Sequence, residues 1–291
     1  DAFRALDDKK LSEEKLDECY AAIIAAAQNE ENAGTAVRML RLIPETYYTD
    51  PNHLDAVYVY ADKLLENEDW DEVSTLCSTY MDITGEDISQ YKNYAMARAA
   101  MEAEDYVSAI DAFAAIGTLD FRDTQEQLSN AYYLFVTAGD LQISLEDAVT
   151  ALEAAVELAN LETTAHPAAG ADFVEDAEEK IAFYTGLMDC TGTYQCYQKE
   201  LTDGTITTED VGYRVTLSFY VENGYPKLVF DCSLFHDTTV YDSVVVYTYS
   251  EPYTYNTFAD NSEGGIEHIA FSSTEAMLDG DTFSNTYFFR K

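Results

Sequence analysis

The chain has 291 residues, of which 55 are acidic and 16 are basic, so its formal net charge at pH 7 is −39. Such an excess of negative charge repels phosphate backbones and anionic lipid headgroups, which argues against nucleic acid as a partner. Hydrophobic residues make up 47% of the chain, as in globular proteins, and this argues against wholesale disorder. The length is sufficient for two domains with separate cores.

The negative charge is concentrated in the first two thirds of the chain. Residues 1–190 contain 40 acidic and 11 basic residues, whereas residues 191–291 contain 15 and 5. Two interpretations remain open at this point. The charge serves only to keep the protein soluble, or it attracts a protein partner that carries basic residues.

The sequence lacks a candidate membrane span. No run of apolar residues approaches the roughly 20 needed to cross a bilayer, and the first residues, DAFRALDDKK, lack the apolar core of a signal peptide. The chain begins with Asp1 rather than with methionine. We therefore expect an extracellular or cell-surface protein whose signal or anchor is not part of this chain.

Residues 11–188 are predicted to form helices in pairs. Apolar residues recur at steps of three and four, for example between Leu54 and Leu65. Asp50 can cap a helix whose first turn contains Pro51, and Gly85 can end another. The pairs repeat, since Glu68-Asp69-Trp70 and Glu104-Asp105-Tyr106 each open a helix, 36 residues apart. This spacing is close to the 34 residues of a tetratricopeptide repeat.

One segment, 104–133, resembles the degenerate tetratricopeptide-like repeats of bacterial exported proteins. Those repeats have an acidic-aromatic turn, an Ala-Ile-x-x-Phe motif, a glycine, an aromatic residue, Asp-Ser or Asp-Thr, and then an aromatic helix. The close match covers about one repeat, and the other helices match in period alone. The resemblance implies an α-solenoid and, by analogy, contact with another protein, but no catalytic chemistry. The matching residues are Tyr106, Ala109, Phe113, Gly117, Phe121, Asp123, Thr124 and Tyr132.

From about Gly192 the apolar period changes from 3.6 to 2, which predicts strands. Residues 213–221 alternate between apolar and polar, and Asn223-Gly224 indicates a tight hairpin. Further strands are predicted at 193–201, 241–249, 265–272 and 282–290. So many short antiparallel strands favour a meander β-barrel, a strongly curved sheet or a sandwich. The opening Gly192-Thr193-Tyr194 and the hairpins are similar to lipocalin-like barrels.

The predicted fold class is therefore α+β with two domains. Residues 1–190 form a tetratricopeptide-like helical repeat domain, an α-solenoid, and residues 191–291 form the antiparallel β domain. Because the period changes at the junction, we expect the two domains to fold as separate units.

The chain has five cysteines, so at least one is unpaired. Cys19 and Cys77 lie at apolar helix positions and are predicted to be buried thiols. Cys190, Cys196 and Cys232 lie at the junction or on predicted strands. The alternatives are one disulfide between two of these three cysteines, or two or three buried thiols.

An aromatic cluster in the β domain is the candidate binding site. Exposed tyrosines could stack on sugar rings or anchor a protein partner. Alternatively, the rings fill the interior of a barrel, because apolar neighbours share one face of the strand with them. The cluster consists of Tyr247, Tyr249, Tyr253, Tyr255 and Phe258.

No catalytic or cofactor motif occurs in the sequence. The four histidines are scattered without HExxH spacing, and the P-loop, dinucleotide-binding and nucleophile-elbow motifs are lacking. We expect no metal, no cofactor and no enzymatic activity. The predicted function is a binding or scaffold module of a bacterial cell-surface or secreted protein that contacts an unknown protein through its helical repeats. That partner is basic if the negative charge serves to attract it. The alternative is that the β domain binds a glycan or a small apolar ligand.

Overall fold

The computed structural model describes residues 9–161, 172–209, 211–232, 239–240, 253–256, 268–279 and 285–291. It has a helical N-terminal part and a curled antiparallel sheet in the C-terminal part. Contacts between residues divide the chain into two compact units, Asp1–Thr124 and Gln125–Lys291. We describe each unit by itself.

The first unit consists of helices joined by short turns. A short 3-10 turn, Pro51–His53, precedes α4, and the side chain of Asp50 caps this turn by accepting a hydrogen bond from the Asn52 N–H at 2.9 Å. The helices are α1 (Lys9–Gln28), α2 (Ala33–Leu40), α3 (Glu45–Tyr48), α4 (Leu54–Glu66), α5 (Trp70–Thr84), α6 (Ser89–Glu102) and α7 (Tyr106–Ala114).

The turns between α4 and α5 and between α6 and α7 have the same backbone geometry. Glu68 and Glu104 both adopt a left-handed conformation, with φ of 61° and 59°. In each turn the next residue, Asp69 or Asp105, donates its N–H to a carbonyl of the preceding helix, at 3.0 and 2.9 Å. This bond and the left-handed residue are those of a Schellman motif, which satisfies carbonyl groups that a helix end otherwise leaves unpaired.

The core of the first unit is made of aromatic, aliphatic and small residues from successive helices. Tyr48, Tyr80 and Phe113 are buried, and so is Cys77, as predicted. The prediction for Cys19 is wrong, because its side chain is exposed on α1. An apolar period identifies the apolar side of a helix, but a residue at the edge of that side is buried only where another helix covers it.

The second unit contains three helices in its described part: α8, which begins at the boundary residue (Thr124–Thr137), α9 (Leu145–Asn160) and α10 (Val174–Cys190). Its strands are β1 (Ile143–Ser144), β2 (Gly192–Glu200), β3 (Ile206–Thr207), β4 (Arg214–Glu222), β5 (Tyr225–Cys232), β6 (Thr239–Val240), β7 (Tyr253–Asn256), β8 (His268–Phe271), β9 (Glu275–Asp279) and β10 (Thr286–Arg290).

The described strands form one antiparallel sheet in the order β6-β5-β4-β2-β10-β9-β8-β7, with β1 paired to β4 and β3 to β2. The predicted hairpin is confirmed, since Glu222 lies opposite Tyr225. Its two turn residues, Asn223 and Gly224, have φ of 52° and 73°. The predicted strand 241–249 lies outside the described residues. Strand β9 was not among the predicted strands.

Helices α9 and α10 belong to the core of the sheet. One continuous apolar cluster contains Leu152 of α9, Leu187 of α10, Leu217 of β4 and Phe289 of β10. The predicted boundary at residue 190 thus marks the change from helix to strand, whereas the compact units divide at Thr124. The reason is that a sheet with one apolar face needs a covering layer, and here α9 and α10 supply it.

Two of the cysteines at the junction are buried thiols. Cys190 and Cys196 are both thiols outside any disulfide, and both are buried in the core of the second unit. Cys190 donates to the Gly186 carbonyl at 3.4 Å, as expected for a thiol inside a helix. The side chain of Cys232 lies outside the described residues, and a bridge between Cys190 and Cys196 is not formed.

Candidate functional site

The structure places one side chain of the predicted aromatic cluster, and it is in the core. Tyr253 is only 4% exposed. Its ring centroid lies 5.6 Å from that of Phe271 and 6.0 Å from that of Phe183. Tyr255 is placed by its backbone alone, opposite Ile269. The other members, Tyr247, Tyr249 and Phe258, lie outside the described residues. Tyr253 therefore has the core position that the sequence left open as the alternative.

A cleft with an acidic rim lies at the start of α5 in the first unit. We call it the Trp70 cleft. It has a volume of about 450 Å³. Its acidic residues come from the left-handed turn before α5, from the first turn of α5 and from the end of α6. The lining residues are Glu68, Asp69, Trp70, Asp71, Glu72, Ala99 and Glu102.

Trp70 forms the floor of this cleft. It is the only tryptophan of the chain, it begins α5 and its side chain is 7% exposed. The indole Nε1–H donates to Glu102 Oε1 at 2.7 Å. The guanidinium carbon of Arg98 lies 5.2 Å from the centre of the indole ring, within the range of a cation–π interaction. The indole is therefore engaged within the protein by Arg98 and Glu102, and the carboxylates are the groups of the cleft that face solvent.

A second arginine binds the acidic rim from the end of α2. Arg41 donates through Nη2 to Asp69 Oδ2 at 3.1 Å and through Nε to Glu72 Oε1 at 3.2 Å. The hydroxyl of Tyr60 also donates to Glu72. Hydrogen bonds from Arg41 and Tyr60 lower the pKa of the Glu72 carboxyl. Glu72 therefore remains ionised at neutral pH.

The acidic residues of the cleft outnumber the arginines beside it. Arg41 and Arg98 contact residues of the lining, which itself contains five carboxylates. Glu68 and Asp71 are exposed, and neither forms an ion pair within the described part of the chain. The net charge of the cleft is consequently negative, and this charge faces solvent.

Other basic residues of the first unit are also engaged by its own acids. Lys63 lies 2.8 Å from Glu66, and Arg122 lies 2.7 Å from Asp62. Arg98 lies 3.7 Å from Asp123, which accepts a hydrogen bond from Tyr94. Burial, followed by this hydrogen bond, raises the pKa of Tyr94 to about 12. These ion pairs leave the surplus of carboxylates as the charge available to a partner.

Sequence reasoning identified Trp70 as the start of a helix but not as part of a site. The signal was present, because the run Glu68 to Glu72 places four acids around a single tryptophan. The contributions of Glu102 and Arg98 came only with the structure, since they lie one helix further along the chain. The rim residues are adjacent in the sequence, so the sequence alone can reveal them. The residues of α6 reach the cleft only because α6 packs against α5.

Metal-ligating clusters and membrane-spanning helices are both absent from the described residues. No group of three or more His, Cys, Asp or Glu side chains there is arranged to hold a metal ion. Within the same residues, no helix combines the length and the apolar character needed to cross a membrane.

Comparison with known proteins gave no relatives: no protein-family model, no curated protein and no solved structure matches this chain.

Proposed function

We propose that this protein is a non-enzymatic binding module whose Trp70 cleft holds an arginine-containing segment of a partner protein. The observation that supports this most strongly is that two of the chain's own arginines already contact residues that line the cleft. Arg98 lies over the Trp70 ring and Arg41 binds Asp69 and Glu72. The exposed carboxylates that these arginines do not engage, Glu68 and Asp71, suit a further guanidinium from outside.

The chemistry of the cleft favours arginine over lysine. A guanidinium can donate two parallel hydrogen bonds to a carboxylate and can also stack on an aromatic ring. An ammonium group is a compact charge and offers no flat face. The cleft combines an indole with exposed carboxylates at Glu68 and Asp71. The carboxylates are the partners open to an outside guanidinium, while Arg98 shows the stacking that the indole supports within the protein.

The size of the cleft suits a short segment. A volume of about 450 Å³ lies at the low end of the range for ligand sites. One or two side chains of an extended peptide fill such a space, while a folded domain does not. The formal charge of −39 adds long-range attraction, which raises the association rate of a basic partner more than its final affinity.

The cellular setting and the scaffold role remain part of the proposal. The acidic composition supports an extracellular or cell-surface location. The resemblance of residues 104–133 to tetratricopeptide-like repeats of bacterial exported proteins supports contact with a protein and a solenoid arrangement of the helices. The competing interpretation is that the negative charge only keeps the protein soluble.

The test uses a fluorescent peptide of alternating arginine and glycine, titrated with the full chain and followed by fluorescence anisotropy. We expect saturable binding that weakens when salt is raised from about 0.05 to about 0.5 M, because the Debye length falls from roughly 14 to roughly 4 Å. The lysine peptide of equal charge should bind more weakly. A triple variant, Glu68→Gln, Asp71→Asn and Glu102→Gln, should lose at least tenfold in affinity, about 1.4 kcal/mol.

A matched control removes the same charge elsewhere in the first unit. Asp82, Glu86 and Asp111 are exposed and lie outside the cleft. Their triple amide variant should bind the arginine peptide within about threefold of the wild type, since only the long-range field changes. Equal losses in the two triple variants would contradict a specific cleft. Absence of saturable binding would leave solubility as the role of the charge.

A further inference from the structure

The sheet of the second unit has a groove beside an irregularity in the pairing of β2 with β10. Phe288 lies opposite Gln198, but the next residue, Phe289, lies opposite Cys196. Tyr197 is therefore an extra residue in β2, and the pair has a β-bulge. Bulges change the direction of a side chain and occur often beside binding sites. Here the bulge interrupts the alternation that buries Tyr194 and Cys196.

Three neighbouring strands place apolar side chains on the face opposite the core. In β10, Tyr287 and Phe289 are buried in the core and Phe288 lies between them, so its side chain points to the other face. Met277 has the same position in β9, between two buried residues. Phe288 lies opposite Met277, and Met277 lies opposite Ala270 of β8. These residues form an apolar row across the strands.

The row and Tyr197 line a groove of about 240 Å³. We call it the Tyr197 groove. Phe288, Met277 and Tyr197 are each half-buried, so solvent reaches them. The polar groups of the lining come from Ser272 and Glu275, at the turn between β8 and β9. The volume is below the range of about 300–1,000 Å³ that is usual for drug-sized ligands.

An ion pair between Arg290 and Glu275 lies at the polar end of the groove. The guanidinium carbon of Arg290 lies 4.5 Å from the centre of the Tyr197 ring. Arg290 also donates to Glu275 Oε1, through Nη2 at 2.9 Å and through Nε at 3.3 Å. The two charges cancel each other, and both side chains remain exposed. The groove thus offers hydrogen-bonding groups without a net charge.

We propose that the Tyr197 groove binds one neutral pyranose ring of a glycan. A pyranose has an apolar face of C–H groups and a rim of hydroxyls, and it carries no charge. The row of Phe288, Met277 and Ala270 suits the apolar face, while Glu275 and Arg290 can accept from and donate to hydroxyls. A ligand with a net charge would have to disrupt the Glu275–Arg290 pair. An alkyl chain would contact the apolar row alone and would form no hydrogen bond with Glu275 or Arg290.

This site differs from the site of the proposed function. It lies in the second unit, and it has none of the residues of the Trp70 cleft. It also differs from the cluster predicted from the sequence, of which Tyr253 lies in the core. A failure of peptide binding at the Trp70 cleft would leave the glycan proposal intact, and the converse also holds.

The test is saturation-transfer NMR on the full chain. The probes are methyl β-D-glucopyranoside, methyl α-D-mannopyranoside and N-acetylglucosamine, with decanoate as the apolar comparison. At least one sugar should receive saturation, most strongly at the C–H protons of one ring face. Phe288→Ser and Glu275→Gln should each reduce the transfer at least fivefold.

Matched controls separate the groove from general effects. Tyr225 is a 56% exposed aromatic residue of β5 outside the groove, and Tyr225→Ser should leave the transfer unchanged. Glu275 is exposed, so Glu275→Gln tests the site even if Phe288→Ser perturbs the fold, and thermal unfolding identifies such a loss. The proposal is overturned if no sugar receives saturation, if decanoate alone does, or if the transfer is unchanged in both groove variants.

Discussion

The two compact units of this protein are assembled in different ways. In the first unit, helices pack against their neighbours along the chain, as α5 does against α6 and α6 against α7. The second unit also has contacts between neighbours, such as the β4–β5 hairpin, but distant segments complete its sheet. Strand β2 pairs with β10, the last strand of the chain, and α9 and α10 share one core with the sheet. Contacts between successive helices thus recur through the first unit, whereas the sheet of the second requires long-range pairing.

The units also differ in how they use polar groups. In the first, side-chain hydrogen bonds and ion pairs join one helix to another, as between Trp70 and Glu102, or join a helix to a turn, as between Asp62 and Arg122. In the second, such bonds also occur, as from Tyr133 of α8 to Asp176 of α10, but the helices and the sheet share a large apolar cluster. Part of the acidic content of the first unit is therefore structural, since carboxylates accept hydrogen bonds between its helices.

The largest expected effect comes from cutting the second unit at the predicted domain boundary. A fragment of residues 191–291 loses Leu152 and Leu187, which α9 and α10 contribute to the core. Its sheet would expose an apolar face, so we expect no cooperative thermal unfolding and little β-type circular dichroism. A fragment of residues 125–291 keeps both helices and should unfold cooperatively.

Both fragments are compared with the full chain under the same conditions. Cooperative unfolding of residues 191–291 would show that the strands form a core without the helices, and the two units would then be built more alike than the structure indicates. If 125–291 also stays unfolded, the division at Thr124 does not mark an independent folding unit.

Features that depend on neighbours along the chain could be predicted from the sequence. Helices begin at Trp70 and at Tyr106 as predicted, and the hairpin forms at Asn223-Gly224. These features rest on capping, helical period and turn chemistry, which involve residues a few positions apart. The helical N-terminal part and the antiparallel C-terminal sheet follow from the same signals.

Features that depend on packing could not be predicted in this way. The exposure of Cys19 and the position of Tyr253 depend on which element covers each face. The Tyr197 groove requires the register of three strand pairs and a bulge. The sequence shows that the alternation of Tyr194 and Cys196 is interrupted at Tyr197. It does not show which strand pairs with β2 at that point. The alternation of a single strand does not contain that information.

The next largest expected effect comes from disturbing the contact between α10 and the sheet. Gly186 lies within α10, where alanine would normally stabilise a helix by about 1 kcal/mol. An added Cβ would, however, lie 2.2 Å from the hydroxyl oxygen of Tyr253 in β7. We therefore expect Gly186→Ala to lower the free energy of unfolding by about 1–3 kcal/mol, as measured by urea denaturation.

A second substitution separates the clash from other causes. In Tyr253→Phe the hydroxyl is removed, and the next nearest ring atom lies 3.4 Å from the position of the added Cβ. The double variant, Gly186→Ala with Tyr253→Phe, should therefore be more stable than the sum of the single effects. If the stability changes of the two single variants simply add, the Tyr253 hydroxyl does not clash with the Cβ added at position 186.

The smallest effect concerns the repeated turn of the first unit. Glu68 and Glu104 have φ near 60°, a conformation that costs a residue with a Cβ roughly 1–2 kcal/mol and costs glycine almost nothing. Glycine also gives the unfolded chain more freedom, which offsets part of the gain. We expect Glu68→Gly and Glu104→Gly each to raise the free energy of unfolding by about 0.5–1 kcal/mol in urea denaturation.

Two controls distinguish backbone conformation from charge. Glu104→Gln keeps the Cβ and removes the charge, so it should leave most of the strain in place. Asn223 of the second unit has a φ of 52°, but asparagine tolerates this conformation, so Asn223→Gly should bring no comparable gain. If Glu104→Gln stabilises as much as Glu104→Gly, the cost at this turn is repulsion among its carboxylates. The acids of the turn would then destabilise the unit that they occupy.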